Sequence, residues 1–274
     1  MTMINEKEKT RFEDLCRKIA AEDLNGSGIG TMSEKRMHKT FKHFICSDPS
    51  CHEVRIRPDG SPGIGEGTSE RIPETGRGGF IADIFSEGEI TEIQTGGFYP
   101  MKKKLEFYLQ STDFRVTVLH PLVGIKWTVW IDPETGDTTK RRRSPKKESP
   151  QSLLPELFWI SEHLKSDRLY FRLPVIEAEE YKMLDGYGKD KKIRATKYER
   201  FPISLLDDVT YSAIEICGAL FPAELTGEFT SSDLTKATGL RGRKLSSALK
   251  LLCLCDVIEK RGKRGRSFIY AKKP

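Results

Sequence analysis

The sequence predicts an α/β protein: a mixed sheet flanked by helices, followed by a smaller helical C-terminal domain that ends in a basic hairpin. Three stretches carry that expectation. Gly79 to Leu109 reads as two short apolar strands feeding a helix, Arg115 to Ile131 supplies two more strands after that helix, and from Ile203 onward short helices dominate. The expected division is 1–29 as an N-terminal helix and linker, 30–200 as the α/β domain and 201–274 as the C-terminal domain.

Among the elements in order, Lys7 to Leu24 is expected to be helical, with Phe12, Leu15, Ile19 and Ala20 on one side. A second helix begins near Ser33 and runs through Met37, Phe41 and Phe44, carrying Glu34 and His38. Cys46 and Cys51, with His52 beside them, lack a second ligand pair, so no zinc site is expected. Pro58 to Gly78 is rich in Gly and Pro and reads as a long surface loop. No Gly-Lys-Ser/Thr follows Gly63 and Gly65, which excludes a nucleotide-binding P-loop.

Phe80, Ile81, Ile84 and Phe85 form one apolar run and Ile90 and Ile93 a second, joined by the turn Ser86-Glu87-Gly88, so this segment reads as a β-hairpin. Gly96 and Gly97 end the second strand, Pro100 suits a helix's first turn, and Met101, Leu105, Tyr108 and Leu109 recur at helical spacing. Strands follow at Arg115 to His120 and Lys126 to Ile131, and a crossover of this length gives at least one parallel pair. Asp132 to Asp137 is a turn leading into the basic segment Thr138 to Lys147. Leu153 to Leu164 looks helical, Leu169 to Glu177 looks like a strand whose Pro174 marks an edge or bulge, and Asp185 to Arg200 reads as a basic turn or hairpin.

The 274 residues hold 46 Lys and Arg against 40 Asp and Glu, a net charge of +6. No apolar run approaches a membrane span, and the charged N-terminus has no signal-peptide core, so a soluble cytoplasmic protein with no membrane partner is expected. Six unevenly spaced cysteines do not make a disulfide scaffold. Basic residues cluster at Lys140 to Lys147, Lys189 to Arg200, Arg241 to Lys244 and Lys260 to Arg266, a distribution suited to a polyanionic partner.

The chemistry sits on the hairpin. Asp83 lies at the centre of one strand, and period-2 alternation points Glu92 and Gln94 of the other at one face. Carboxylates inside apolar strands are costly unless a cation meets them, and magnesium takes one or two carboxylates plus waters and phosphate oxygens. The order of hairpin, Asp, Glu-x-Gln and Lys-bearing helix resembles the PD-(D/E)xK nuclease superfamily, the restriction endonuclease-like fold. The resemblance implies Asp83 and Glu92 as ligands of Mg2+ or Mn2+. It sets Gln94 where the family pattern has Lys, similar to the Glu-x-Gln variant, with a water-orienting role. Lys102 or Lys104, which flank the apolar stripe of the helix, would then supply the missing charge, and Glu34 would support the metal. The alternatives are a half-exposed hairpin with outward carboxylates, a solvated lysine face, and a Glu34 favoured only by its helix N-terminus.

Downstream, Leu205 to Leu220 reads as a helix, Phe229 to Leu234 as the capped start of a second ending at Thr238-Gly239, and Arg241 to Cys255 as a third. Val257 to Lys260 and Ser267 to Tyr270 form a hairpin with a basic tip, and Cys253 and Cys255 are expected near the helical core. This order resembles a winged helix-turn-helix domain. The resemblance implies Arg241, Arg243 and Lys244 at base edges and Lys260, Arg261, Lys263, Arg264 and Arg266 on backbone phosphates. Arg141, Arg142 and Arg143 are candidates for further backbone contacts.

Two functions follow. One is a metal-dependent nuclease hydrolysing phosphodiester bonds of DNA, with the winged helix binding duplex. The other is a non-catalytic DNA-binding regulator that keeps a degenerate nuclease-like domain for homodimerisation or sensing. Gln94 favours the second; Asp83 and Glu92, with lysines nearby, favour the first.

Overall fold

A computed structural model describes residues 4–25, 36–63, 78–145, 147–187 and 194–273. Among them are seven α-helices, a large mixed sheet of nine strands and a three-stranded antiparallel sheet. The chain folds as two units, each assembled from separated segments. One comprises Met1–His52, His120–Glu148 and Leu173–Val209, the other Glu53–Leu119, Ser149–Arg172 and Thr210–Pro274.

The second unit contains the hairpin. Its strands β1 (His52–Ile56), β2 (Pro62–Gly63), β3 (Phe80–Ser86), β4 (Glu89–Ile93), β5 (Arg115–Leu119) and the first residues of β8 (Leu169–Met183) lie in the order β2-β1-β3-β4-β5-β8. Glu87 and Gly88 join β3 to β4 with φ of 50° and 77°, the two-residue turn whose twist matches that of paired strands. Gly79, at φ 83°, opens β3 against the Ile56 carbonyl, where any side chain would collide with backbone.

β4 pairs with β5 in parallel, which requires the crossover that the sequence placed between them. That crossover holds a 3-10 turn, Tyr99–Met101, with Pro100 in its first turn, and then α3 (Lys102–Ser111). Met101, Leu105 and Tyr108 form the buried stripe of this segment. The end of α3 is secured twice: Thr112 Oγ1 donates to Tyr108 O at 2.8 Å, and Arg168 donates to Leu109 O at 2.6 Å. A guanidinium at that end also opposes the helix dipole, so the helix facing the hairpin is held in place at its C-terminus.

Leu153 to Leu164 is not one regular helix. The four-residue α4 (Leu154–Leu157) is flanked by 3-10 turns at Pro150–Leu153 and Phe158–His163, and Ile160 departs from helical geometry (φ −120°, ψ 20°). The helix expected over Leu205 to Leu220 is overturned as well. The long β9 (Thr196–Ser212) runs through its first half, and only α5 (Ala213–Ala219) is helical, started by a Ser212–Glu215 capping box. Pairing of β9 with β8 overrides the local helical pattern of Leu205 and Leu206.

The unit closes with β10 (Glu228–Thr230), α6 (Ser231–Thr238), α7 (Gly242–Leu254), β11 (Ile258–Arg264) and β12 (Ser267–Lys272), the strands ordered β10-β12-β11 and antiparallel. Asp233 starts α6 by accepting the Thr230 N–H at 2.9 Å, and Gly239 ends it in a left-handed conformation.

In the first unit, α1 (Glu6–Asn25) and α2 (Arg36–Ile45) pack through Phe12, whose ring centroid lies 5.3 Å from that of Phe41 and 5.1 Å from that of Phe44. β6 (Leu122–Ile131) pairs antiparallel with β7 (Arg142–Arg143) and in parallel with the remainder of β8. Pro174, expected to mark an edge or bulge, falls instead between the stretch of β8 paired with β5 and the stretch paired with β6, where its missing N–H interrupts neither ladder. No helix among the described residues is long and apolar enough to cross a membrane.

Candidate active site

β4 is covered on both faces, with every residue from Ile90 to Ile93 buried, so Glu92 is only 5 % exposed. The β3–β4 pairing of Ile84 with Thr91, continued by one residue, sets Asp83 opposite Glu92, and directly opposed residues share a face of the sheet. Here the Asp83 side chain enters the ladder: Oδ2 accepts the Ile93 N–H at 2.7 Å. The next amide, Gln94 N–H, donates to Leu119 O on β5 at 2.9 Å.

Lys104 and Tyr108 are four residues apart on α3 and therefore project from one helix face. Lys104 Nζ donates to Glu92 Oε2 at 2.6 Å, and Tyr108 Oη donates to Glu92 Oε1 at 3.0 Å. Burial pushes the Glu92 carboxyl up to about 7. The Lys104 ammonium opposes that rise, the charge of Asp83 adds to it, and the hydrogen bonds from Lys104 and Tyr108 oppose it. Tyr108 is held well above the ordinary phenol value by burial and by the negative charge of Glu92 and Asp83. Two carboxylates, one lysine and one phenol thus meet here, and on Glu92 burial outweighs the lysine. Near neutral pH, Glu92 is divided between its protonated and ionised forms, and a further cation beside it would favour the ionised form.

Lys102 lies elsewhere, its Nζ 3.1 Å from Glu162. Of the two lysines flanking the helix stripe, Lys104 is the one on the carboxylate. Gln94 Nε2 donates to Gly97 O at 2.5 Å and so ties down the loop leading into α3. Phe98 N–H, in the same loop, donates to Glu156 Oε2 at 3.3 Å. Glu34 lies outside the described residues. Tyr108 reads from sequence as a member of an apolar stripe. The signal for its second role is that a buried phenol needs a partner for its hydroxyl, and that Lys104 stands one turn before it. Among the described residues no three His, Cys, Asp or Glu side chains form a group that could hold a metal ion.

The basic residues are at the surface. Arg241 precedes α7 as its N-cap, and Arg241, Arg243 and Lys244 are exposed. Lys260, Arg261, Lys263 and Arg264 lie on β11 and Arg266 in the turn after it, all exposed. Lys260 Nζ sits 3.2 Å from the centre of the Phe268 ring and Lys263 Nζ 4.9 Å from it, cation–π contacts that bring two ammonium groups of β11 to one ring of β12. In the first unit, exposed Arg142 and Arg143 form β7, while Arg141 stacks on Trp127 at 4.3 Å and pairs with Glu179 at 3.0 Å.

Comparison with known proteins gives one match. No curated protein and no solved structure matches the chain. Residues 67–212 match the family described as a domain of unknown function, DUF8091. Asp83, Glu92, Lys104 and Tyr108 all fall within the matched segment, which is more than half of the 274 residues. The chain belongs to the DUF8091 family.

Proposed function

We propose that this protein is a metal-dependent nuclease that hydrolyses phosphodiester bonds of DNA, with a core of the restriction endonuclease-like, PD-(D/E)xK kind and C-terminal elements that form a duplex-binding winged helix. The observation that carries the reading is a buried carboxylate, Glu92, held between Lys104 and Tyr108 with Asp83 beside it and pushed up to about 7 by burial despite the lysine. The donors fit magnesium or manganese in kind. Both are hard cations served by carboxylate oxygen, and magnesium needs no third protein ligand because waters and phosphate oxygens complete its octahedron. A carboxylate oxygen that already accepts one hydrogen bond keeps a second lone pair for an ion.

When bound, the ion would supply Lewis-acid stabilisation of the charge that builds on the phosphate oxygens. In hydrolysis a water oxygen bonds to phosphorus, one P–O ester bond breaks, and the leaving oxygen takes a proton. Asp83 and Glu92 would hold the ion. Tyr108 and Lys104 donate to the two oxygens of Glu92 and so fix the orientation of that carboxylate. Lys104 also brings the cation that the superfamily pattern carries two residues after the Glu, where this chain has Gln94. The exposed Arg241, Arg243 and Lys244, with Lys260, Arg261, Lys263, Arg264 and Arg266, supply charge for duplex phosphates and groove edges.

Plasmid cleavage with Mg2+ or Mn2+ tests the reading. The parent is expected to cut, Asp83→Ala and Glu92→Ala to lose about 10²-fold or more, and Lys104→Ala to lose activity where Lys102→Ala does not. One observation favours the regulator with a degenerate core: the Gln94 amide is engaged by the Gly97 carbonyl. A parent that shifts duplex in a gel but cuts with neither metal would establish that second reading and end the first.

A further inference from the structure

Outside the carboxylate cluster, two thiols of the second unit meet. Cys217, on α5, is fully buried, and Cys255, the residue that caps the C-terminus of α7, is partly exposed. Their sulfurs lie 3.2 Å apart, with the Cys217 thiol donating to Cys255 Sγ. Cys255 also lines a cavity of about 240 Å³, together with Ser161, Leu164, Lys165, Ile214 and Asp256, large enough to admit a small solute.

The two thiols are chemically unequal. The hydrogen bond from Cys217 holds the Cys255 thiol below its ordinary value against burial and the Asp256 charge, and Lys165 adds a smaller lowering. Cys217 is pushed far up, by the same hydrogen bond and by burial. The thiolate is the reactive form of cysteine, so this pair couples an accessible nucleophile to a protonated, sheltered second thiol. Cys253, two residues before Cys255, is a built-in comparison, because burial pushes its thiol up.

We propose that Cys255 and Cys217 form a two-thiol oxidation site that reduces a small hydroperoxide and closes to a disulfide. The Cys255 sulfur bonds to one peroxide oxygen, the O–O bond breaks, and the departing oxygen takes a proton and leaves as water or alcohol. Cys255 is then a sulfenic acid. The Cys217 sulfur next bonds to the Cys255 sulfur, the S–OH bond breaks, and the hydroxyl leaves as water with the Cys217 proton. Two electrons pass from the thiols to the peroxide, and the new bond ties α5 to the end of α7. This site does not depend on the nuclease reading.

The test treats the reduced full-length chain with hydrogen peroxide, blocks remaining thiols with N-ethylmaleimide and maps the peptides by mass spectrometry. The expected result is loss of two hydrogens, a peptide cross-linked through Cys217 and Cys255, and reversal by dithiothreitol. Cys255→Ser should slow oxidation of Cys217 by about tenfold or more, and Cys217→Ser should leave a sulfenic acid at Cys255 that dimedone traps. Alkylation of both thiols in the peroxide-treated parent, or a cross-link made through Cys253, would overturn the proposal, and neither readout needs a variant to fold.

Discussion

Glu92 and Glu180 are both strand carboxylates with 5 % exposure, and the fold treats their charges in opposite ways. Around Glu180, in the first unit, stand Lys126 at 3.3 Å, Arg200 at 3.2 Å, Lys182 at 3.6 Å and Lys197 at 4.0 Å. Burial alone would raise its pKa, but Lys126 and Arg200 outweigh burial and hold the carboxyl below its usual range. Around Glu92, in the second unit, stand one lysine, a neutral phenol and a second carboxylate, and burial prevails. Burial alone does not set the direction in which a carboxylate's pKa moves. The charge gathered around it does.

The largest expected effect lies on the saturated side of that comparison. Glu180→Ala leaves Lys126 and Arg200, both only about one-fifth exposed, without their shared anion, with Glu148 at 3.1 Å left to Arg200. Removing one partner from a mostly buried ion network costs about 3 kcal/mol or more, which denaturant unfolding at pH 8 would read as a drop in midpoint. A loss under about 1 kcal/mol would mean the network is effectively solvated, and the comparison would lose one of its terms.

Next in size is the pH dependence that Glu92 imposes. Its folded pKa of about 7 lies above its ordinary carboxyl value, so the native state binds more protons than the unfolded state between those two values. Stability therefore falls as pH rises from about 4.5 through about 7 and is level beyond, by up to about 3 kcal/mol in the metal-free protein. Glu180, with a lowered folded pKa, loses its contribution only in acid, as pH falls below the ordinary carboxyl range. Glu92→Gln should flatten the decline between pH 5 and pH 8 without changing the acid limb. Added Mg2+ at pH 8 should restore stability to the parent and not to Glu92→Gln. A parent curve level from pH 5 to pH 8 would refute the raised pKa of Glu92.

What could be read from sequence follows the range of the interactions involved. The β3–β4 hairpin, the α3 crossover and the parallel β4–β5 pair rest on local signals: alternation, a two-residue turn, Pro100 and a helical stripe. β9 does not. Its Thr196–Ser212 sequence mixes Pro202, charged residues and a Leu-Leu pair, and it is a strand because β8 pairs with it. Within the candidate site, Asp83 and Glu92 were legible because carboxylates stand out in apolar strands. Lys102 and Lys104 were equivalent by helical wheel, and only the partners Glu162 and Glu92 separate them. Tyr108 was hidden because an amphipathic stripe uses a tyrosine ring as hydrophobe and gives no sign of where its hydroxyl points.

Tyr108→Phe carries the smallest expected effect and draws the comparison most finely. The substitution keeps the ring in its buried place and removes only the hydroxyl that donates to Glu92 Oε1 at 3.0 Å. If Tyr108 served packing alone, the loss would be small and equal at all pH values. As a donor to a carboxylate it favours the ionised form of Glu92, so its removal should raise the Glu92 pKa further and cost more where Glu92 is ionised. The expected loss is about 1 kcal/mol at pH 8 and visibly less at pH 5, measured as the difference in denaturation free energy from the parent at each pH. The same pair of measurements on Glu92→Gln with Tyr108→Phe should show the pH dependence vanish, because the group that titrates is gone. A loss that persists equally at both pH values in the single variant would make Tyr108 a packing residue and leave Lys104 as the sole group on α3 that answers to the charge of Glu92.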